Sequence, residues 1–394
     1  MTDPQAHAPN AAAAQHPYQH PYQHPYQHPY QHPYQHPYQH PYQHPYQHPY
    51  QHPYQHPYQH PYRHPYQHPD PAPHPAQPAL DPGLLAIALQ QSQERIGRRG
   101  TEAPVPRDAP QGPDALARWG APFRAQAVLA ELLPHCQLRD CTLLRSDGDR
   151  EPQPVIQLKR VALNFDEQID KVLRASVERN ERMPELLTQA DDFFPFFGAV
   201  IGLPRGAAPH TELLFDIAWQ WASFWVMGLK HAHAALRPFQ RSSLVTTVFA
   251  TPQHGAYPSG HGAMATLFSE LWIALLYAGQ PQHPRVAQLD RMARRIAFNR
   301  VVAGVHFPVD NAAGYALGQQ LAALFVAWAS PKGRYALDWC FAPEAGGKGV
   351  EQQSELREAE ARQTVSLGKS KAPRLPLLGW MWDRASAELA ALRL

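Results

Sequence analysis

Proline stands at every fourth position from Pro17 to Pro69. It belongs to a tandem Gln-His-Pro-Tyr repeat that runs from Gln15 to Tyr66 with one slip, Arg63. A degenerate copy, Gln67-His68-Pro69-Asp70, ends the tract. Proline at that spacing removes a donor from helical turns and strand ladders alike. The repeat has no aliphatic side chain to bury. The tract is therefore expected to be disordered and polyproline-II-like, reaching roughly 160 Å at about 3.1 Å per residue. Histidines four residues apart on such a chain build no defined metal site, so weak binding of metal ions is the most it offers. The tract skews whole-chain composition, and the 43 prolines and 24 histidines say little about the rest.

From about Ala79 on, the length suits one domain with appendages. Charge is nearly balanced, 35 basic against 33 acidic residues, which argues for no nucleic-acid partner. The three cysteines, Cys136, Cys141 and Cys340, make no disulfide framework, and His135, Cys136 and Cys141 form only an incomplete metal set, so ordinary thiols are expected. Met-Thr-Asp-Pro has neither the basic nor the apolar region of a signal peptide, so a cytoplasmic location is expected.

The rest reads as an all-α chain, a helical bundle of about six core helices. Helices are expected over Leu84 to Ile96 and over Ala115 to Leu133, the second broken near Gly120-Ala121-Pro122. Cys141 to Leu144 and Val155 to Val161 suggest a short hairpin. Asp166 to Glu181 carries Ile169, Leu173 and Val177 on one face. Further helices are expected over Pro184 to Phe194, Glu212 to Leu236, Gly260 to Ala278, Pro284 to Val302 and Pro308 to Ala329, three of them opened by proline at the first position. Polar residues such as Asp216, Glu270 and Gln319 interrupt the apolar stretches, so no clear transmembrane span of about 20 residues emerges. Glu351 to Arg362 reads as a charged helix, and Leu377 to Leu394 as a docking helix. The domain division that follows is a repeat and linker over 1–80, an N-terminal extension over 81–160, the bundle over 161–331 and a C-terminal extension over 332–394.

Three stretches carry chemistry. Tyr257-Pro258-Ser259-Gly260-His261 precedes an apolar run, which reads as a helix start with Ser259 at the N-cap. The unpaired N–H groups and the positive dipole end there suit an anion. Lys230 and Arg237 are seven residues apart on the long helix, nearly two turns, which places both cations on one face. Taken alone they read first as solvated charges that complement the helix dipole. Arg300, Gly304, His306, Pro308 and Asp310 follow downstream, with Asp310 in the first turn of a helix, where its carboxylate suits the His306 imidazole N–H. His233 lies one turn from Lys230; for it, for His231 and for His254 a structural or solvated role is expected.

In order, these read Lys-x6-Arg-Pro, Pro-Ser-Gly-His and Arg-x5-His-x3-Asp. Pro-Ser-Gly-His alone should arise at about 10⁻⁵ of positions from average usage. The set resembles the type-2 phosphatidic acid phosphatase superfamily, which includes vanadium-dependent haloperoxidases, over roughly Phe165 to Ser330. The resemblance implies a phosphomonoesterase that needs no cofactor. Lys230, Arg237, Ser259, Gly260 and Arg300 would bind the phosphoryl oxygens. His306, oriented by Asp310, would be the nucleophile and form a phosphohistidine, and His261 would protonate the leaving oxygen. The substrate would be a small phosphomonoester or a lipid phosphate, soluble or peripheral. One departure is visible: the family usually has serine where Asn299 stands, still a polar residue. The alternative the resemblance implies is a haloperoxidase, with vanadate in the same pocket bonded to His306. The compact spacings, 21 residues from Arg237 to Pro258 and 39 from His261 to Arg300, favour the phosphatase. A non-catalytic scaffold or metal-binding protein using the repeat is a third reading, against which the intact motif set argues.

Overall fold

The computed structural model describes residues 86–92, 111–146, 151–159, 165–190, 192–335, 339–342 and 372–394. The repeat and the candidate helix Glu351 to Arg362 lie outside them. Residues 86–92 are helical, the only described part of the first expected helix. A 3₁₀ turn, Gly112–Arg118, precedes α1, Ala121–Leu132, so the expected break falls at Trp119-Gly120. Three strands follow: β1 (Cys136–Arg139), β2 (Thr142–Arg145) and β3 (Gln153–Leu158). Then come α2 (Phe165–Ala175), α3 (Arg179–Thr188), α4 (Phe194–Ile201), α5 (Pro209–His233) and the single turn α6 (Pro238–Arg241). The chain continues through α7 (Gly260–Leu276), α8 (Pro284–Val302) and α9 (Pro308–Ala329) to β4 (Trp339–Phe341) and α10 (Pro376–Ala391).

Helix α9 is the axis of the bundle. All of its residues except Val326 are buried, which is the pattern of a helix surrounded on every side. Its Ala and Gly content lets α7 lie unusually close. A Cβ on Gly314 would sit 2.5 Å from the Ser259 carbonyl oxygen, and one on Gly318 would strike the Ala263 carbonyl. These two glycines, one turn apart, bring the start of α7 against α9. Pro284 and Pro308 open α8 and α9 at their first positions, as the sequence predicts.

Pro184 does not open a helix. It lies inside α3, which starts at Arg179. The carbonyl it leaves without a helical donor belongs to Asn180, an exposed residue. The predicted stripe over Asp166 to Glu181 also shifts. Gln168, Val172 and Ala175 are buried, whereas Val177 is 81% exposed. The cause is a 3₁₀ turn, Ser176–Glu178, which ends α2 and changes the winding.

The all-α expectation needs correction as well. β1 to β4 form one four-stranded sheet in that order. β1, β2 and β3 are antiparallel neighbours, with Leu143 opposite Ile156. β4 runs parallel to β3, placing Trp339 beside Ile156 after the whole bundle has intervened. Leu143, Val155, Ile156 and Leu158 face the core. Leu138 of β1 fits over Gly228 of α5, where a Cβ would stand 2.6 Å from its Cδ2.

α10 docks through Leu378, Met381, Trp382, Ala385 and Leu389. Two carboxylates fasten it by capping helix N-termini. Glu131 of α1 accepts from the Leu377 and Leu378 N–H groups, both at 2.9 Å. Glu388 of α10 accepts from His210 N at 3.1 Å and Thr211 N at 2.8 Å, at the start of α5. Among the described residues, no helix is long and apolar enough to cross a membrane.

Candidate active site

The start of α7, the end of α5 and the start of α9 meet at one place. Ser259 caps α7, its Oγ accepting from Gly262 N at 3.1 Å. That bond leaves the hydroxyl proton available to a ligand. Ser259 N donates to the Asp310 carbonyl at 2.8 Å, which ties α7 to α9. Lys230 lies in the last turn of α5, almost wholly buried, and its Nζ donates to the Gly255 and Ala256 carbonyls at 2.9 Å each. A Cβ on Gly260 would be 3.8 Å from Lys230 Cε, so the lysine stem runs past the α7 N-terminus.

Arg237 reaches the same place by another route than the sequence suggests. α5 ends at His233, and Ala234 takes a left-handed conformation with φ 48°. Arg237 is extended at the N-cap of α6, as befits the residue before a proline. The two cations therefore do not share a helix face. They converge because both grip the 254–256 loop. Arg237 Nε donates to the His254 carbonyl at 3.1 Å and Nη2 to the Gly255 carbonyl at 3.4 Å. Its Nη1 donates to the Val305 carbonyl at 2.6 Å and stands 3.4 Å from His306 Nε2.

His306 Nδ1 is 3.2 Å from Asp310 Oδ2. The same oxygen accepts from Phe307 N at 2.9 Å, which fixes the carboxylate at the head of α9. A carboxylate acceptor places the imidazole proton on Nδ1 and leaves the Nε2 lone pair toward Arg237. Arg300, in the last turn of α8, donates from Nη2 to the Leu186 carbonyl at 3.1 Å, and its guanidinium lies 5.4 Å from the Phe249 ring centroid. His261 Nε2 is 3.1 Å from the Gln189 carbonyl.

The electrostatics follow from concentrating cations in a buried place. Burial, then the Arg237 charge, push Lys230 down to about 7. Burial pushes Arg237 down to about 10. His306 is held well below its ordinary value by burial and by Arg237 and Lys230, so it is neutral with a free lone pair at physiological pH. His261 falls to about 3 through burial and Arg300. Asp310 rises to about 6 because burial outweighs the Phe307 N–H and the two cations. A dianion among Lys230, Arg237 and Arg300 would offset each of the cation-driven shifts.

Among the other histidines, His233 packs edge-on against Tyr257, ring centroids 4.7 Å apart, and its Nδ1 is 3.8 Å from Cys141 Sγ. It braces the loop rather than reaching the cations. His231 is exposed. His254 is the residue that sequence reasoning undervalued. Its Nδ1 is 3.2 Å from Arg237 Nη2, and although the residue is exposed overall, partial cover of its ring and the Lys230 and Arg237 charges lower it to about 4. Only its place seven residues before His261 hinted at this. Among the described residues, no group of three or more His, Cys, Asp or Glu is disposed to hold a metal ion.

Residues 213–334 match the family model of the PAP2 superfamily. No curated protein matches the chain. Among solved structures, the chain is similar to the first transmembrane PAP2-type phosphatidylglycerolphosphate phosphatase from Bacillus subtilis. The identity is 19% and the TM-score 0.31, over 41% of this chain and 83% of that one. The cytoplasmic expectation does not stand beside a match to a transmembrane enzyme, and no compartment is assigned to the chain. That expectation rested on reading the first residues for a leader, a feature that bears on secretion and not on contact with a membrane.

Proposed function

We propose, for a chain whose residues 213–334 match the family model of the PAP2 superfamily, that the buried cation cluster hydrolyses phosphomonoesters through a phosphohistidine on His306. One observation carries the reading: His306, with Nδ1 on Asp310, presents Nε2 3.4 Å from an Arg237 guanidinium nitrogen. A neutral imidazole beside fixed guanidinium donors is what attack on an anionic phosphorus requires.

Lys230, Arg237 and Arg300 neutralise the non-bridging oxygens, and the Ser259 hydroxyl and Gly260 N–H add donors at the α7 N-terminus. His306 Nε2 forms a bond to phosphorus as the bond to the leaving oxygen breaks. His261, neutral in the free protein, takes up a proton on Nδ1 when the bound dianion offsets the Arg300 and Lys230 charges, and gives it to that oxygen. Water then attacks phosphorus, the P–N bond breaks, and the water proton passes to His261 as inorganic phosphate departs. The substrate is a phosphomonoester, soluble or presented at a membrane surface, and the fixed cations supply the charge neutralisation.

The deciding assay is hydrolysis of p-nitrophenyl phosphate with and without orthovanadate. Hydrolysis that vanadate blocks supports the reading. Vanadate-dependent bromination with peroxide, and no hydrolysis, would assign the pocket to haloperoxidase chemistry. Neither activity would favour the scaffold reading.

The pH dependence has a definite sign. Asp310 must be ionised to hold His306, so kcat/KM is lost as pH falls through about 6. Lys230 must be charged to hold phosphate, so kcat/KM is lost as pH rises through about 7. A bell with those limbs is expected for p-nitrophenyl phosphate, whose phenolate leaves without a proton from His261. In kcat the alkaline limb moves upward, because a bound dianion favours charged Lys230. Lys230→Arg is expected to move the alkaline limb of kcat/KM upward as well; an unmoved limb would show that another group sets it.

A further inference from the structure

We propose that the C-terminal turn of α3, locked by Asn299 through Gln189, positions His261 for proton transfer to the leaving group. The inference rests on the phosphoryl-transfer reading above and assigns Asn299 and Gln189 as positioning residues.

The last carbonyls of a helix lack intrahelical donors and stand at its negative end. α3 ends at Thr188, and its C-cap, Gln189, remains right-handed, with φ −74° and ψ −4°. No left-handed glycine closes this end. Two side chains of the candidate site take its carbonyls instead. Arg300 donates to Leu186 O at 3.1 Å and His261 to Gln189 O at 3.1 Å. A carbonyl only accepts, so the contact fixes the proton of neutral His261 on Nε2. Nδ1 is then the nitrogen that gains and loses the catalytic proton. The groups facing His261 have opposed effects. Arg300 from α8 and Lys230 from α5 lower its proton affinity, whereas the carbonyls of Gln189 and Ala190 raise it. His306 also lies within electrostatic reach, and the ring of Phe193 packs 6.1 Å away, centroid to centroid. The α3 terminus is thus the local feature that favours the charged, proton-donating form.

A main-chain carbonyl at a helix end holds its place only if the turn does. Gln189 is fully buried, and its Oε1 accepts from Asn299 Nδ2 at 2.8 Å. The same Asn299 nitrogen donates to Glu185 Oε2 at 3.1 Å, and Arg182 Nη1 donates to Asn299 Oδ1 at 3.0 Å. Arg295 pins Glu185 with two bonds, at 2.7 and 2.6 Å. Asn299 therefore joins two residues of α3 and its C-cap from the position next to Arg300 on α8. The shorter serine side chain carries one oxygen, which cannot reproduce this amide's two donor contacts and one acceptor contact.

The test compares two esters on the full chain: an alkyl phosphate, whose alkoxide needs a proton to leave, and p-nitrophenyl phosphate, whose phenolate does not. Asn299→Ala and Gln189→Met are expected to lower kcat/KM for the alkyl ester by about 100-fold, the scale of general-acid catalysis. For the nitrophenyl ester the loss is expected to stay within about 3-fold, with inorganic-phosphate affinity by calorimetry unchanged within about 2-fold, because binding does not draw on the proton transfer. His261→Asn, which also removes the base of the hydrolysis step, should show the same leaving-group dependence in kcat/KM and a lower kcat on both esters. Gln189→Met keeps the backbone carbonyl and the approximate volume, so it serves if Asn299→Ala fails to fold. Equal losses on both esters, or weakened phosphate binding with no change in leaving-group dependence, would overturn the proposal. A wild-type protein that binds phosphate and hydrolyses neither ester would overturn the phosphoryl-transfer reading itself, and this inference with it.

Discussion

His306→Ala is expected to lower kcat for phosphomonoester hydrolysis by about four orders of magnitude, the scale seen when a nucleophile is removed from a working constellation. The loss belongs to the covalent step. No other imidazole can replace it, because His261 is tied to the Gln189 carbonyl and His254 stands on the far side of the Arg237 fork. Lys230, Arg237 and Arg300 draw their main contacts from backbone carbonyls and not from the His306 ring, so they are expected to remain in place. Phosphate affinity, read by calorimetry, is therefore expected to survive the substitution. Loss of binding and rate together would mean that His306 holds the pocket open instead of acting on phosphorus.

Arg237→Lys is expected to be nearly as damaging despite keeping the charge. The guanidinium spends its donors in three directions: on the His254 and Gly255 carbonyls in one loop and on the Val305 carbonyl in another, with Nη1 also beside His306. An ammonium on a flexible stem cannot span that fork. At least two contacts are lost around the reacting centre, for a fall in kcat/KM of about 10² to 10³, each factor of ten being about 1.4 kcal/mol. Leaving buried carbonyls without donors also costs stability, about 1–3 kcal/mol. Thermal melting followed by circular dichroism separates that cost from the catalytic one. Full activity in Arg237→Lys would show that the fork is not the phosphate clamp.

What could be read from the sequence was whatever is local along the chain. Ser259 as N-cap, and Pro284 and Pro308 as first helical residues, follow from rules that act within one turn. Asp310 lies one turn beyond His306, so their meeting needs no tertiary information. Arg237 could have been placed better, since a residue before proline avoids the helical region and Pro238 stated where α5 had to be over. Two features left no local trace. The parallel pairing of β4 with β3 joins Trp339 to Ile156 across the whole bundle, through a strand of three residues. The α3 wall of the site is made of the Leu186 and Gln189 carbonyls, which every residue type offers equally. Gly314 and Gly318 look like ordinary small residues until α7 is laid against them.

The central claim is that phosphorus becomes bonded to His306. The most direct measurement is rapid denaturing quench of the wild-type protein with a ³²P-labelled phosphomonoester, followed by peptide mapping. The account predicts an acid-labile, base-stable label on the peptide that contains His306, absent from His306→Ala. Label on the His261 peptide, or steady hydrolysis with no protein-bound label on any timescale down to the first turnover, would contradict it.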